Sequence, residues 1–276
     1  MKKLILLIAV TTLVGCGKQA PQTQPEAKSQ PKKEVKKPDA PKVFTNTLGM
    51  KFVQVQGTKV QFCIWETRVK DYAAYSAANE GVDGSWKKPS RVRGKPFKQA
   101  DTHPVVNVSW NDAQTFCEWL TKKELAEGKI KERQKYRLPT DAEWSVAVGL
   151  GKEKGDAPYE KDRIMGDSGV YLWGKGFPPP KDAGNYRQSL NVDNFDGTSP
   201  VGSFAANKFG LYDMGGNVWE WCEEWCVPAE KVGRVLRGAS WSVNHQITLL
   251  SHHRYAGGYP DSRNNSYGFR CVLASE

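Results

Sequence analysis

From residue 43 onward the chain alternates between short apolar runs and helical stripes. Phe52, Val53 and Val55 begin a strand, residues 62–65 a second, 235–237 a third and 269–273 a fourth. Three stretches switch to the helical period. After Thr67, the residues Val69, Tyr72, Ala73 and Ser76 share one side until Gly81 closes the pattern. Ser109 and Asp112 form a capping-box pair, followed by the stripe Ala113, Phe116, Cys117, Leu120, which ends near Gly128. Thr140 and Glu143 repeat the device, and Gly149 ends that helix. Between Leu150 and Leu211 the periodicity dissolves into Gly, Pro, Asn and Asp, far beyond an ordinary connection. The pattern predicts an α+β domain of short elements with one long irregular stretch.

Upstream the pattern changes twice. Lys2 and Lys3 precede an apolar run from Leu4 to Val14, too short to span a bilayer. Leu13-Val14-Gly15-Cys16 then reads as a bacterial lipobox, so residues 1–16 are expected to be a lipoprotein signal with Cys16 acylated. Gly17 stands where an aspartate would favour inner-membrane retention, which points to an outer-membrane or surface position in the cell envelope. Residues 17–42 hold no aromatic residue and one large aliphatic residue, Val35, so they read as a disordered Lys/Pro-rich tether. Of the net charge of +10, the signal supplies +2 and the tether +4. The domain of residues 43–276 is nearly balanced, which argues against nucleic-acid binding. Lysines beside a lipid anchor suit an anionic membrane surface instead. That domain holds all ten tryptophans and five of the six cysteines.

Five strings in the domain carry a resemblance: HPVVNVSWNDAQTFC (103–117), YRLPTDAEW (136–144), GLYDMGGNVWEW (210–221), RVLRGASWS (234–242) and PDSRNNSYGFRC (260–271). In this order they resemble the sulfatase-modifying-factor, or formylglycine-generating-enzyme, family. The resemblance implies a variant of the C-type lectin fold with little regular secondary structure. It also implies copper(I) held by two cysteines shortly after the GASW string, whose oxidation chemistry converts a sulfatase cysteine to formylglycine. Here those positions hold Val243 and Thr248, and no cysteine lies between Cys226 and Cys271. Neither side chain can bind copper(I), a soft ion that prefers thiolates. Ser240 and Trp219 match residues of the family's pocket wall.

Two segments offer hard oxygen donors and irregular backbone, the chemistry that calcium requires. The resemblance assigns one structural calcium to Asn185, Asp193 and the carbonyls of Tyr186 and Phe195. It assigns a second to Asp213, Glu220 and the carbonyls of Gly216 and Val218. Plain turn chemistry is the competing account of Asn, Asp and Gly in such segments, and calcium is the preferred one. The resemblance also pairs Cys117 with Cys271 in a disulfide, a closure that chain-entropy arguments value at about 4–5 kcal/mol. Cys63 lies in an apolar strand and reads as a buried, inert thiol. Cys222 and Cys226 would face one side of a helix, and in an exported chain a local disulfide between them is preferred to a metal site.

His245, His252 and His253 could hold iron or copper. The resemblance weakens this, because the iron-binding sulfoxide synthases of the wider family carry their histidines in an additional N-terminal domain. These side chains and His103 are otherwise surface, cleft or structural histidines. The leading expectation is a lipid-anchored, non-catalytic envelope protein binding a peptide, a glycan or a protein partner. The candidate surfaces are the loop from Tyr255 to Tyr259 and the wall of Ser240, Trp241 and Trp219. The alternatives are a metal-dependent oxidoreductase of the formylglycine-generating or non-haem-iron type, and a purely structural envelope protein.

Overall fold

The computed structural model describes residues 42–92, 94–97 and 99–275. Cys16, the signal and the tether up to residue 41 lie outside the described residues. The domain is built on an antiparallel sheet of five strands: β1 (Val43–Thr45), β2 (Lys51–Gln54), β3 (Val60–Cys63), β13 (Val272–Ser275) and β6 (Gln134–Arg137), in that spatial order. The C-terminal strand is thus enclosed between β3 and β6, with Val272 opposite both Phe62 and Arg137.

The period-two alternation of these strands sends side chains to two cores, one on each face. Phe52, Cys63 and Leu273 join a cluster with Tyr72, Phe116 and Leu120. Those partners belong to the helices α1 (Val69–Ala78) and α2 (Trp110–Ala126). Val53, Val60, Phe62, Val272 and Ala274 join a second cluster with Trp144 and Ala147 of α3 (Asp141–Val148). Each large side chain buried this way contributes about 1.5–3 kcal/mol. In the first core Tyr72 stacks on Phe116 at 5.7 Å, and Phe269 meets Phe116 edge-on at 5.4 Å.

The helix boundaries follow the capping residues. The Ser109 and Thr140 hydroxyls accept from the N–H groups of Asp112 and Glu143, and both boxes close reciprocally. Gly149 ends α3 at φ +104°, a left-handed position that suits glycine. The irregular stretch contains one further helix, α4 (Pro158–Met165), with proline at its first position, and a two-strand ribbon of β7 (Val170–Tyr171) and β8 (Gly174–Lys175). A separate hairpin pairs β4 (Ser90–Val92) with β5 (Lys95–Phe97).

A second sheet runs β11 (Tyr255–Gly258), β10 (Val232–Arg237), β9 (Trp219–Val227) and β12 (Tyr267–Gly268), with β12 parallel to β9. The strand β9 corrects the helical reading of Cys222 and Cys226. Both side chains are buried on one face of the strand, and both are free thiols. Four residues along a strand span about 13 Å, beyond the reach of a disulfide. The predicted strand at 269–273 also starts later, at Val272, because Phe269 and Arg270 cross between the two sheets. Cys117 and Cys271 lie face to face in the first core as thiols, with their Sγ atoms 3.5 Å apart.

Below β9 and β10 lies a sealed charge cluster. Asp141, at the first turn of α3, accepts from Arg237 at the end of β10 and from Arg254 through Nε and Nη2, both at 2.9 Å. Lys161 of α4 reaches the same carboxylate at 3.5 Å, and Glu153 pairs with Arg254. Burial alone would raise the Asp141 carboxyl, but Arg237 and Arg254 outweigh it and hold it below the ordinary carboxylate value. Because the folded value is depressed, the stability this acid contributes is complete above its unfolded value near 3.8. It is lost as pH falls through the folded value. Asp141→Asn is expected to cost about 3–5 kcal/mol by leaving buried guanidiniums underpaired. Urea titration at neutral pH checks this, and the gap between variant and wild type should shrink once the pH is acid enough to protonate Asp141.

Candidate functional site

The two oxygen-rich segments form one unit. Gly216, at φ +87°, sits so close to the Asn185 segment that a Cβ there would lie 2.5 Å from the Asn185 carbonyl oxygen. Only glycine permits this approach. The Asn217 N–H donates to that same carbonyl at 2.8 Å, and Asn217 Oδ1 accepts from Ser199 N at 3.0 Å and from Asn185 Nδ2 at 3.3 Å. Asp213 and Asn217 hold positive φ angles of 54° and 56°, where short polar side chains are tolerated.

The first expected calcium set is partly complete. Asn185 is fully buried, and its Nδ2 donates to Gly197 O at 2.8 Å. Its Oδ1 has no hydrogen-bond donor among the described residues, which is the state of an amide oxygen facing a cation. The Asp193 carboxylate accepts from the N–H groups of Tyr186 and Phe195 at 3.0 and 2.9 Å, which fixes the turn and leaves lone pairs for an ion. The donor types, an amide oxygen and a carboxylate, are those that calcium takes.

The second set differs from the one the resemblance implies. Glu220 is fully buried, and its oxygens accept from Arg270 Nη2 at 2.6 Å, Arg270 Nε at 2.8 Å and Trp144 Nε1 at 3.0 Å. It serves as the counter-ion of Arg270. Among the described residues, the acids left here without a cationic partner are Asp213 and Glu66, whose carboxyl groups share a side-chain hydrogen bond. Glu66 is fully buried, and its carboxyl is pushed well above the ordinary value by burial first and by the charge of Asp213 second. Burial also lifts Asp213 to about 6, although Gly202 N–H and Arg270 pull it down. Two buried carboxyl groups in this state either stay protonated or share a cation. Glu66 is the residue that sequence reasoning missed; its only signal was a lone acid at the end of the apolar run QFCIW.

The two positions that the resemblance assigns to copper, Val243 and Thr248, provide no thiol. Val243 packs against the first core, and its carbonyl accepts from Arg187 N at 3.0 Å. Thr248 lies in the short 3-10 turn Ile247–Leu249. All five described cysteines are buried. Burial raises the thiols of Cys63, Cys117 and Cys222, and pushes Cys226 up to about 11. The donor set here does not fit copper(I), which needs exposed, deprotonated sulfur.

The histidines divide. His245 is exposed. His252 and His253 both face Asp162 of α4, at 3.7 Å each, and Ser168 Oγ lies 3.1 Å from His252 Nδ1. Burial lowers both imidazoles, His253 to about 4, so they are neutral at pH 7. Among the described residues no three histidine, cysteine or carboxylate side chains converge as a metal-ligand set. His103 is buried and bonded to Thr198 Oγ1 at 2.9 Å, a structural role.

Of the expected pocket wall, Ser240 and Trp219 are buried, and Trp219 stacks on Tyr255 at 5.4 Å. Trp241 and Ser242 remain at the surface of a cavity of about 620 Å³. The opposite sides come from Arg91 and Val92 of β4 and from the Arg187–Ser189 turn. Ala239, just before this wall, holds φ +63°, a strained conformation for a residue with a Cβ.

The chain matches the family described as Sulfatase-modifying factor enzyme 1-like domain over residues 13–275. It is 36% identical over 198 residues to the inactive C-alpha-formylglycine-generating enzyme 2 of Bos taurus, covering 68% of this chain and 55% of that protein. It is 31% identical over 218 residues to the formylglycine-generating enzyme of Thermomonospora curvata, covering 69% of this chain and 62% of that protein. The chain therefore spans little more than half the length of these relatives. Among solved structures, PvdO from Pseudomonas aeruginosa shares the fold at a TM-score of 0.58 and 20% identity, over 86% of this chain and 99% of that one. CarF gives a TM-score of 0.53 at 26% identity, over 79% of this chain and 86% of that one.

The Glu66–Asp213 pair yields a calorimetric expectation. Glu66→Gln removes a carboxyl that the fold prefers neutral. In chelator at neutral pH it is expected to raise the Tm by roughly 2–4 °C, the shift that about 1 kcal/mol gives in a domain of this size. The same variant is expected to weaken the Tm rise produced by added calcium. A lower Tm for the variant in chelator would contradict this account of the pair.

Proposed function

We propose that this chain, which belongs to the sulfatase-modifying-factor family, is a non-catalytic member whose Trp241 groove binds a partner molecule. The observation that carries the proposal is the exchange of both copper-binding positions, Val243 and Thr248, together with the burial of all five described cysteines. The family's oxidation depends on a metal held by exposed thiolates, and the groove offers neither sulfur nor a neutral histidine cluster at its mouth. The similarity to proteins named inactive formylglycine-generating enzyme 2 supports the same reading. What the fold retains at that place is shape: a cleft walled by an indole, two guanidiniums and hydroxyl groups.

The remaining parts of the proposal concern support and location. Calcium is held by Asn185, Asp193 and the carbonyls of Tyr186 and Phe195, and a second cation by Asp213 and Glu66 with the carbonyls of Gly216 and Val218. When bound, the ions supply charge neutralisation that fixes both loops. The lipobox at Cys16 anchors the chain in a bacterial envelope by its acyl chains, and the lysine-rich tether sets the domain off the membrane surface.

Two experiments test these points. Incubated with a sulfatase-type cysteine peptide and copper(I), the wild-type domain is expected to leave the cysteine unchanged by mass spectrometry. Val243→Cys with Thr248→Cys is expected to gain copper(I) binding. Copper-dependent formylglycine formation by the wild type would overturn the non-catalytic reading. Separately, Cys16→Ser is expected to leave an unprocessed precursor without acyl label, and normal processing in that variant would end the lipoprotein assignment.

A further inference from the structure

The groove beside Trp241 is electrically distinctive. The domain as a whole is nearly balanced in charge, yet two guanidiniums line this one cavity of about 620 Å³. Arg187 is exposed, and its side chain has no carboxylate partner among the described residues. This contrasts with the buried arginines of the fold: Arg237, Arg254 and Arg270 are each matched to an acid. Arg91 spends one donor on the carbonyl of Gly94, 3.0 Å away, within its own hairpin, and keeps four N–H groups for other acceptors. A second cavity of about 400 Å³ continues past Arg91, lined by Asn107, Asn264 and Asn265 together with Lys88 and with Arg263, which is paired to Asp112. The Trp241 indole N–H is already given to Asn265 O at 3.1 Å, so the ring contributes apolar surface to the groove rather than a donor.

We infer that this groove receives an extended acidic peptide segment, its glutamate or aspartate side chains meeting Arg91 and Arg187 and its backbone meeting the amides that continue the cleft. The inference rests on the reading of the Trp241 groove as a binding site. Planar guanidinium forks match carboxylate geometry in pairs. Asn264 Oδ1 already accepts from Ser266, and Asn265 Nδ2 already donates to Arg91 O, which leaves Asn264 Nδ2 as a donor and Asn265 Oδ1 as an acceptor for a peptide group, while Lys88 adds a further cation. The groove also contains one acid, Asp196, which accepts from Gln188 Nε2. A uniform polyanion such as a sulfated saccharide or a nucleic acid would meet repulsion there. A peptide with spaced acidic residues places a neutral position opposite it. The chain's own tether carries seven lysines against three acids, so its occupancy would set like charge against like.

The test is fluorescence anisotropy on the purified mature protein. The probe is a labelled extended peptide in which glutamate alternates with serine; the comparators are the glutamine version of that peptide, a sulfated heparin oligosaccharide and the wild type's own tether peptide. The expected result is saturable binding of the glutamate peptide and at least tenfold weaker binding of the glutamine version. Affinity should also fall as salt screens the exposed charges. Arg187→Glu, at an exposed position where folding is not at stake, is expected to weaken binding about tenfold, and Arg91→Gln by about twofold to fivefold, the range for one exposed ion pair. Trp241→Ala separates the two levels of the argument. Binding of the glutamine peptide or the oligosaccharide that is lost in Trp241→Ala but unchanged in Arg187→Glu would keep the groove and overturn its acidic-peptide specificity. Binding unaffected by either substitution, or no saturable binding of the glutamate peptide at all, would overturn the inference outright. Formylglycine formation in the copper assay would remove the underlying reading independently of these titrations.

Discussion

Arg270 is the contact on which the rest of the domain depends. It is fully buried, and its guanidinium joins three separate pieces of chain: Glu220 at the head of β9, the carbonyl of Cys63 at the end of β3 at 3.2 Å, and the carbonyl of Tyr212 before the Asp213 loop at 2.9 Å. One side chain therefore fixes the distance between the five-stranded sheet and the four-stranded one. A buried ion pair of this kind adds little net stability compared with a well-packed apolar substitute, but removing one partner leaves a charge stranded in the core. The pair matters for geometry more than for energy: it holds the loops that carry Asp213, Asn217 and the Trp241 wall at fixed places on a fold with few regular elements.

The sequence shows the helices clearly because capping is local chemistry. Ser109 with Asp112, and Thr140 with Glu143, act within three residues, so their meaning survives without knowledge of the fold. Of the main sheet, β2, β3 and β13 were visible as apolar runs for the same reason, whereas β1 and β6, with their mixed residues, were not. The strand β9 was not. Its residues read Trp-Glu-Trp-Cys-Glu-Glu-Trp-Cys-Val. The acids interrupt the apolar period because each is satisfied by a distant partner: Glu220 by Arg270, Glu223 by Gln114, and Glu224 by the N–H of Asp141. No local pattern reports such pairings.

The candidate site divides in the same way. Asn185, Asp193 and Asp213 were recognisable in the sequence, and the structure leaves the Asn185 amide oxygen without a donor among the described residues and sets Asp213 against Glu66. Glu66 was invisible because a carboxyl buried beside another carboxyl has no sequence signature; its meaning comes from a residue 147 positions later, Asp213. Glu220, legible as a motif residue, turned out to be committed elsewhere. Arg91 and Arg187 carried no signal at all, since an exposed arginine acquires significance only when a fold sets it beside a cavity. The domain thus keeps the frame of its family around a cleft that the sequence pattern alone did not disclose.

The enclosure of β13 between β3 and β6 has a bearing on how the chain acquires this structure. Its neighbours lie about 140 and 210 residues earlier, so the centre of the main sheet stays empty until β13 itself is available. Contacts this remote in sequence make for slow closure, because the loop entropy must be overcome before the pairing rewards it. A nascent chain can form α2 and the β2–β3 hairpin early, but it holds both cores open and their apolar faces exposed. Completion is therefore tied to the arrival of β13, and the waiting intermediate is one that a cell must either shield from aggregation or keep unfolded until that strand is made.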